Sequence, residues 1–495
     1  MKKTGFDNEL YVKMQTENIL KRIAAFDNKL YLEFGGKMFD DLHAARVLPG
    51  FDPNVKTKIL RNLRDKLEII LCIGAPAIEK NKIRSDFGLT YGNELIRLMN
   101  NLRGAGLSVN SVVITQYNEQ PAADIFRKRL ERRGEKVYIH KLTKGYPNDV
   151  DTIVSDEGYG ANPYIETTKP LVVVNAPGPN SGKLATCLSQ LYHEYRRGVR
   201  AGYAKYETFP VWNLPLKHPV NVAYEAATAD IGDRNMIDYF HLDAYGISAV
   251  NYNRDLEVFP VVKNILTRIL GKEIYKSPTD MGVNMAGYAI TDDEAVREAT
   301  KQEVIRRYFR AYNDYKLGLT ELDTAHRVEI LMKDMGAVPT DRSVVKPALD
   351  KAAASGCPAI ALELHDGTIL TGRDKNNLYA PAAVIINALK VLAGIDDKIK
   401  LISPAAIDAV LKVKHEALKS KTKLTNLEEA LIALSFSAAT NPTVEFALEK
   451  LSMLSGCEAH SSVMLPESSL QIFRKLGINI TCEGEIDFFA EKDVK

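Results

Sequence analysis

The 495-residue sequence has few cysteines, a single tryptophan and no long apolar run. Its five cysteines are an odd number and no two form a CxxC pair, which argues against a disulfide scaffold and for a reducing compartment. The longest apolar stretches, such as residues 171–174, have the length of a strand, whereas a membrane helix needs about 20 apolar residues. The sequence therefore predicts a cytoplasmic protein with no membrane partner.

The chain also lacks a charge excess of either sign. Its 65 lysines and arginines against 63 acidic residues leave a net charge of +2, so no field attracts nucleic acid or an anionic membrane. The basic start, residues 1–4, is followed by no apolar segment, which predicts that it is not a signal peptide. With 45% hydrophobic residues the chain can form sizeable cores. These observations predict a soluble multidomain protein without a nucleic-acid partner.

Strand-like and helix-like segments alternate through the first 200 residues. Continuous apolar strands separated by amphipathic helices are typical of a parallel sheet covered on both faces. The predicted class is therefore α/β, with a Rossmann-like, doubly wound and mostly parallel sheet. The predicted strands are 30–34, 68–73, 111–115, 136–140 and 170–175, and the predicted helices between them are 54–66, 91–102, 122–133 and 182–197.

The rest of the chain divides by composition. Residues 201–287 are rich in aromatic residues, proline and asparagine, residues 294–315 and 321–333 resemble long charged helices, and a second α/β pattern begins after residue 338. The predicted organisation is a Rossmann-like domain over 1–290, a helical segment over 291–337 and a smaller C-terminal α/β subdomain over 338–495.

The most informative motif lies at residues 171–183, where an apolar strand runs into a Gly/Pro turn, Gly182, Lys183 and an amphipathic helix. Such a loop directs backbone N–H groups at one point, and the helix N-terminus and the lysine add positive charge. This is the chemistry of a phosphate cradle. The predicted ligand-binding residues are Gly178, Asn180, Ser181, Gly182, Lys183 and Thr186.

The match to the P-loop pattern G-x-x-x-x-G-K-[ST] is partial. Pro177 stands at the first glycine position, and Leu184 replaces the Ser/Thr that would bind magnesium. The nearest hydroxyl is that of Thr186, so magnesium would need carboxylates from elsewhere. The alternative interpretation is an ordinary βα turn with a surface lysine.

Residues 217–254 are dense in polar and aromatic side chains, as in the lining of an active site. His218, His241, Asp230 and Asp243 are the candidate acid/base residues. The alternative is a polar loop whose Asn and Asp side chains satisfy its own backbone.

Two further patterns suggest other chemistry. Cys457 and His460 stand three residues apart, as a nucleophile and base or as half of a zinc site, but a half-buried cysteine beside a turn is the preferred explanation. His193 and Glu194 begin like H-E-x-x-H, but Arg197 replaces the second histidine. The sequence therefore argues against a zinc protease, and no metal ligand is predicted.

Five segments of the chain together form a specific pattern: residues 32–37, 43–50, 176–183, 212–230 and 456–460. On these segments the chain resembles a bacterial family known as domain-of-unknown-function family 1846, and the resemblance covers nearly the whole chain. It implies a Rossmann-like α/β domain, a helical insertion and a C-terminal α/β subdomain, but no established catalytic residues. Some members are labelled ATP-dependent peptidases; Leu184 and Arg197 depart from both motifs behind that label.

The sequence thus predicts a cytosolic enzyme that binds a phosphorylated small molecule, or a nucleotide with magnesium, at residues 177–183. A transferase or ligase is favoured. One alternative is a hydrolase that uses Cys457 and His460. Another is a non-catalytic ligand-binding or assembly protein, in which the charged helices at 294–333 would be chiefly an oligomer interface. The predicted assembly is a homo-oligomer.

Overall fold

The computed structural model describes residues 3–84, 89–375 and 377–485. Residues 4–300 form one compact unit, and the described residues from 301 onward belong to a second. The boundary falls inside a helix, Asp293–Lys316. The division into 1–290, 291–337 and 338–495 stays a prediction.

Within the described part of the first unit, seven strands form one parallel sheet in the order β11-β8-β1-β7-β2-β5-β6. Its middle strands are buried along their whole length, as expected for a sheet covered on both faces. The strands of this unit are β1 (Leu30–Phe34), β2 (Leu67–Gly74), β3 (Ile83–Arg84), β4 (Leu89–Thr90), β5 (Val109–Thr115), β6 (Val137–Ile139), β7 (Leu171–Asn175), β8 (Gly202–Tyr206), β9 (Asn235–Ile237), β10 (Val250–Tyr252) and β11 (Gly282–Val283).

Helices lie between these strands in the sequence, so the predicted α/β class is confirmed. The predicted boundaries agree with the observed ones within a few residues from residue 30 to residue 197. The helices of this unit are α1 (Asn8–Ala24), α2 (Leu42–Val47), α3 (Val55–Asn62), α4 (Ala75–Glu79), α5 (Tyr91–Gly104), α6 (Pro121–Arg132), α7 (Val150–Ile153), α8 (Lys183–Arg196), α9 (Pro219–Ala227), α10 (Tyr239–Tyr245), α11 (Asn253–Leu270) and α12 (Pro278–Met281), and α13 is the boundary helix (Asp293–Lys316).

The connections of the sheet reverse direction between β7 and β2. From β2 the chain moves outward to β5 and then β6, whereas from β7 it passes through α8 to β8 on the other side. In open parallel sheets such a reversal opens a crevice beyond the carboxyl ends of the strands, where ligands bind. The loop after β7 therefore stands at the switch point of the sheet.

The region over 201–287, which is rich in aromatic residues, proline and asparagine, contains the regular helix α11. This helix has Pro260 in its interior, a residue that removes a backbone hydrogen bond. Its buried stripe, which includes Leu256, Phe259 and Val262, packs the helix against the unit in spite of the proline. Tertiary packing has overridden the local signal here.

The second unit contains a mixed four-stranded sheet in the order β13-β12-β14-β15 among its described residues, with β14 and β15 parallel. One apolar core, centred on β12, α16 and α18, fills it. Its elements after α13 are α14 (Leu322–Asp334), α15 (Val345–Ser355), β12 (Ala359–Glu363), β13 (Ile369–Arg373), α16 (Ala380–Leu392), α17 (Pro404–Glu416), α18 (Leu427–Ala438), α19 (Pro442–Glu449), β14 (Glu458–Ser461), α20 (Glu467–Lys475) and β15 (Asn479–Cys482). None of the helices over the described ranges of either unit combines the length and the apolarity that crossing a membrane requires.

Candidate functional site

The loop over 176–182 joins β7 to α8 at the switch point. Gly182 precedes α8 with a φ of +77°, a left-handed backbone conformation that glycine adopts without strain. A Cβ atom at this position would lie 2.8 Å from the side chain of Thr115, at the end of β5. Glycine is thus required both by the turn and by the close approach of a neighbouring strand.

Side chains at the end of β5 hold the carbonyl groups of this loop. The Thr115 hydroxyl donates to the Ser181 carbonyl at 2.8 Å, and the Gln116 amide donates to the Asn180 carbonyl at 3.1 Å. Inside the loop, the Ser181 hydroxyl donates to the Gly178 carbonyl at 2.7 Å. These bonds fix the loop in one conformation before any ligand binds.

The first turn of α8 has the properties of an anion-binding site. The backbone N–H groups of Lys183, Leu184 and Ala185 have no acceptor within residues 3–84, 89–375 and 377–485. A helix N-terminus carries roughly half a positive charge, and the half-buried Lys183 adds a full one. The arrangement can hold phosphate oxygens with backbone donors and an ammonium group.

Thr186, which lies in the first turn of α8, is fully buried. Its Oγ1 donates to the Gly182 carbonyl at 2.9 Å and accepts from the Cys72 thiol at 3.5 Å. The hydroxyl therefore closes the first turn of α8. In the part of the chain that the structure describes, no three His, Cys, Asp or Glu residues are grouped as metal ligands.

A cavity of about 1000 Å³ opens beside the loop. All six predicted ligand-binding residues, from Gly178 to Thr186, line it. Its other walls come from the carboxyl ends of β1, β5 and β8 and from side chains between residues 224 and 262. The cavity thus lies where the topology of the sheet expects a ligand, and its volume is at the upper end of the range for small-molecule sites.

One wall of the cavity carries a charged cluster. The Lys205 ammonium lies 2.6 Å from Asp255 and 2.8 Å from Glu207, and the Tyr203 hydroxyl donates to Glu33 at 2.7 Å. Burial lowers the pKa of Lys205, but the nearby carboxylates of Asp255 and Glu207 raise it by more. The net effect is a raised pKa, so Lys205 keeps its charge. Burial also raises the pKa of Glu207, more than the nearby Lys205 lowers it. A carboxyl group with a raised pKa is suited to proton transfer near neutral pH.

His218, a predicted acid/base residue, lies at the N-terminus of α9. Its Nδ1 accepts from the Val220 N–H at 3.3 Å, so its Nε2 carries the proton and donates to Asp293 at 2.8 Å. Burial lowers the pKa of His218, against the opposing effect of Asp293. One ring nitrogen thus caps α9 and the other donates a hydrogen bond to Asp293, and the ring is outside the cavity lining.

The other three predicted acid/base residues also lie outside the lining of the cavity. His241 is buried, with its Nδ1 2.9 Å from the Ser277 hydroxyl. Asp230 and Asp243 are exposed. The structure brings the six predicted loop residues together but does not bring these four side chains to them.

Cys457 and His460 lie in different surroundings. Cys457 belongs to the apolar core of the second unit, and His460 is buried within β14, which begins just after the cysteine. The Nδ1 of His460 lies 2.9 Å from the Thr481 hydroxyl, and its Nε2 lies 3.2 Å from Glu483.

Sequence reasoning missed the charged wall of the cavity. The sequence did contain one indication of it. Side chains alternate between the two faces of a strand, so Tyr203 and Lys205 in β8 lie on the same face as Glu207 just beyond the strand. Asp255 joins them only because α11 packs on that face, which the sequence does not indicate.

Together these features define a Rossmann-like α/β protein with a large cavity at the carboxyl edge of its parallel sheet. The chain belongs to the family described as domain of unknown function DUF1846: the N-terminal model matches residues 4–336 and the C-terminal model matches residues 340–491. The predicted family is confirmed.

Close relatives extend over the same length. The chain is 58% identical to a UPF0371 protein of Clostridium botulinum strain Langeland over 490 residues, 97% of each chain. It is 58% identical to a UPF0371 protein of Clostridium tetani over 492 residues, 98% of each chain.

Proposed function

We propose that this protein is an enzyme that binds a phosphorylated small molecule, with a phosphate group at the first turn of α8. The observation that carries the proposal is that three N–H groups without an acceptor, together with Lys183, open onto a cavity of about 1000 Å³. A rigid glycine turn at a switch point is the usual place for a phosphate in such sheets.

The reaction we propose is group transfer or ligation on the bound molecule. In phosphoryl and related transfers, most of the catalytic effect comes from positioning and from neutralising charge. The loop would supply both, and proton transfer would fall to the carboxyl groups of the cavity, Glu33, Glu207 and Asp255. Because the Thr186 hydroxyl is engaged in α8, a nucleotide that carries magnesium would also depend on these carboxylates.

Three further parts of the proposal concern the protein in the cell. We propose a cytoplasmic location because the chain is poor in cysteine and nearly neutral. We propose a homo-oligomer built partly through the charged helices α13 and α14. The different surroundings of Cys457 and His460 argue against the hydrolase alternative.

The test is thermal unfolding of the full chain with a panel of nucleotides and sugar phosphates, with and without magnesium. A ligand at 100 times its Kd stabilises the folded state by about 2.7 kcal/mol, which gives a shift of several degrees at most. We expect a shift for the wild type and for Lys128→Ala, a lysine exposed on α6, and none for Lys183→Ala. No shift for any ligand, with all three proteins folded, would leave the loop as a structural turn.

A further inference from the structure

The wall of the cavity formed by β1, β8 and α11 carries charges that phosphate binding does not explain. Three carboxylates and one ammonium give this wall a formal charge of +1 − 3 = −2, which disfavours a second phosphate there. We name as the β8 wall the five residues Glu33, Lys205, Glu207, Asp255 and Tyr252.

The β8 wall is built by strand register. Glu33 and Lys205 are paired neighbours on the parallel strands β1 and β8, so their side chains project from the same face of the sheet. On the other side of β8, a Cβ atom at Gly282 would lie 2.9 Å from Glu207 Oε2. The missing side chain at Gly282 leaves room for the Glu207 carboxylate beside Lys205.

Tyr252 supplies a second, independent observation. Its side chain lines the cavity and is 6% exposed, yet its hydroxyl has no hydrogen-bond partner among the residues that the structure describes. Burial first, and then Tyr224 and nearby carboxylates including Asp255 and Glu207, raise its pKa, so the hydroxyl keeps its proton. A buried donor without an acceptor is costly, and it points to a ligand group that accepts this hydrogen bond.

Aromatic rings adjoin the β8 wall. Phe209 stacks on Tyr224 with ring centroids 4.5 Å apart, and Tyr224 stacks on Tyr252 at 6.1 Å. All three residues line the cavity. The wall thus combines charged groups that bind hydroxyls with flat apolar faces.

The phosphate loop and the β8 wall line the same cavity. Lys183, at the start of α8, and Glu33, at the end of β1, both belong to its lining. The strand β1 pairs directly with β7, which leads into the loop. One ligand in this cavity can therefore contact both the loop and the wall.

We infer that the β8 wall binds the hydroxyl groups of a sugar, so that the ligand is a phosphorylated sugar or a sugar nucleotide. Carboxylates accept hydrogen bonds from neighbouring hydroxyls, and Lys205 and Tyr252 donate to them. The inference rests on the proposed function, because the phosphate of the same ligand occupies the first turn of α8.

The experiment is titration calorimetry of the full chain with three kinds of probe: pentose and hexose phosphates, phenyl phosphate, and phosphoethanolamine. We expect at least one sugar phosphate to bind about tenfold or more tightly than phenyl phosphate, since a hydrogen bond to a charged group contributes at about this level. Equal binding of sugar phosphates and phenyl phosphate would overturn the inference, and so would tightest binding of phosphoethanolamine.

Variants separate the two ends of the site. Glu207→Gln and Asp255→Asn should each weaken the sugar phosphate about tenfold, while phenyl phosphate binds as in the wild type or more tightly, because a repelling charge is gone. Asp350→Asn, an exposed carboxylate on α15, is the matched control. Equal weakening of both probes by Glu207→Gln would contradict a hydroxyl-binding role.

A third variant, Tyr252→Phe, changes neither the charge of the β8 wall nor a hydrogen bond that the described part of the fold uses. Removal of a hydroxyl without a partner should leave the unfolding temperature unchanged or higher, while sugar phosphate binding falls several-fold. If Lys183→Ala abolishes the binding of every phosphate but no probe distinguishes sugars, the proposed function stands and this inference fails. If no phosphorylated probe binds the wild type, both fail.

Discussion

The hydroxyl of Thr115, the last residue of β5, donates to the carbonyl of Ser181 at 2.8 Å, in the loop that precedes α8. This bond joins two elements that are 66 residues apart in sequence. It holds the Ser181 carbonyl against the end of β5, so the loop is tied to a neighbouring strand. The proposed phosphate site is thus held in place by β5 as well as by the glycine turn.

Gly182→Ala should destabilise the protein by more than a left-handed backbone alone explains. Gly182 has a φ of +77° and would place a Cβ atom 2.8 Å from Thr115, whereas Gly198, at the other end of α8, has a φ of +81° and open space around it. We expect a loss of about 1 kcal/mol in the free energy of unfolding for Gly198→Ala and about 2 to 4 kcal/mol for Gly182→Ala. Denaturant unfolding measures both, and equal losses would contradict the steric role of Thr115.

His140 should make stability depend on pH. Burial lowers its pKa from 6.5 to about 4, against the opposing hydrogen bond to the Pro163 carbonyl. As the pH falls, His140 is therefore protonated in the unfolded chain before it is protonated in the folded one. The contribution of His140 to the free energy of unfolding is highest above pH 6.5 and decreases as the pH falls toward 4. From pH 7 to pH 5 this linkage amounts to about 2 kcal/mol.

His140→Gln tests this assignment, because glutamine does not titrate in this range. Denaturant unfolding at pH 7 and pH 5 should show a loss for the wild type that exceeds the loss for His140→Gln by about 2 kcal/mol. Identical losses in the two proteins would assign the pH dependence to other groups.

Glu458→Gln should strongly destabilise the second unit. The Glu458 carboxylate lies 3.0 Å from Arg342, which is 1% exposed, and 2.9 Å from Arg306. Removing the carboxylate leaves the buried Arg342 guanidinium and the half-buried Arg306 guanidinium without its charge, at a cost of about 3 to 5 kcal/mol in the free energy of unfolding. Asp350→Asn, which removes an exposed ion pair with Lys346, should have an effect near zero. A small effect of Glu458→Gln in chemical denaturation would contradict this account.

Thiol labelling should modify one cysteine of the native protein. Cys357 is partly exposed and the other four are buried, and burial raises the pKa of Cys72 and Cys482 to about 12. Because the thiolate is the reactive form, we expect one fast reaction per native chain at pH 8 and five in denaturant. Cys357→Ala should abolish the fast reaction, and a fast reaction that persists in this variant would show that a second thiol is accessible.

The alternation of strands and helices up to residue 197 was predictable because each element carries its own periodicity. The place of the loop was predictable for the same reason, since a Gly/Pro turn follows a buried strand and Gly182 and Lys183 lead into a helix. The charged wall was not, because it joins β1, β8 and α11, and a single sequence holds no signal for the register of Glu33 against Lys205.

The predicted acid/base residues show that the composition of a segment does not reveal which of its side chains face a cavity. His218 and His241 lie in a polar, aromatic segment, and other members of that segment, such as Tyr252, do line the cavity. Which side of a short element faces the cavity depends on packing, and His218 caps α9 instead.

The lining of the cavity is drawn from residues 33 to 281, nearly the whole length of the first unit. No short piece of the chain contains the site, so it exists only when the entire parallel sheet is assembled. A ligand binds there only while the whole unit is folded, so binding raises the free energy of unfolding of the whole sheet and not of one element. In the cell, the supply of ligand would then set how much of the protein escapes proteolysis, so that its abundance follows the concentration of the molecule it binds.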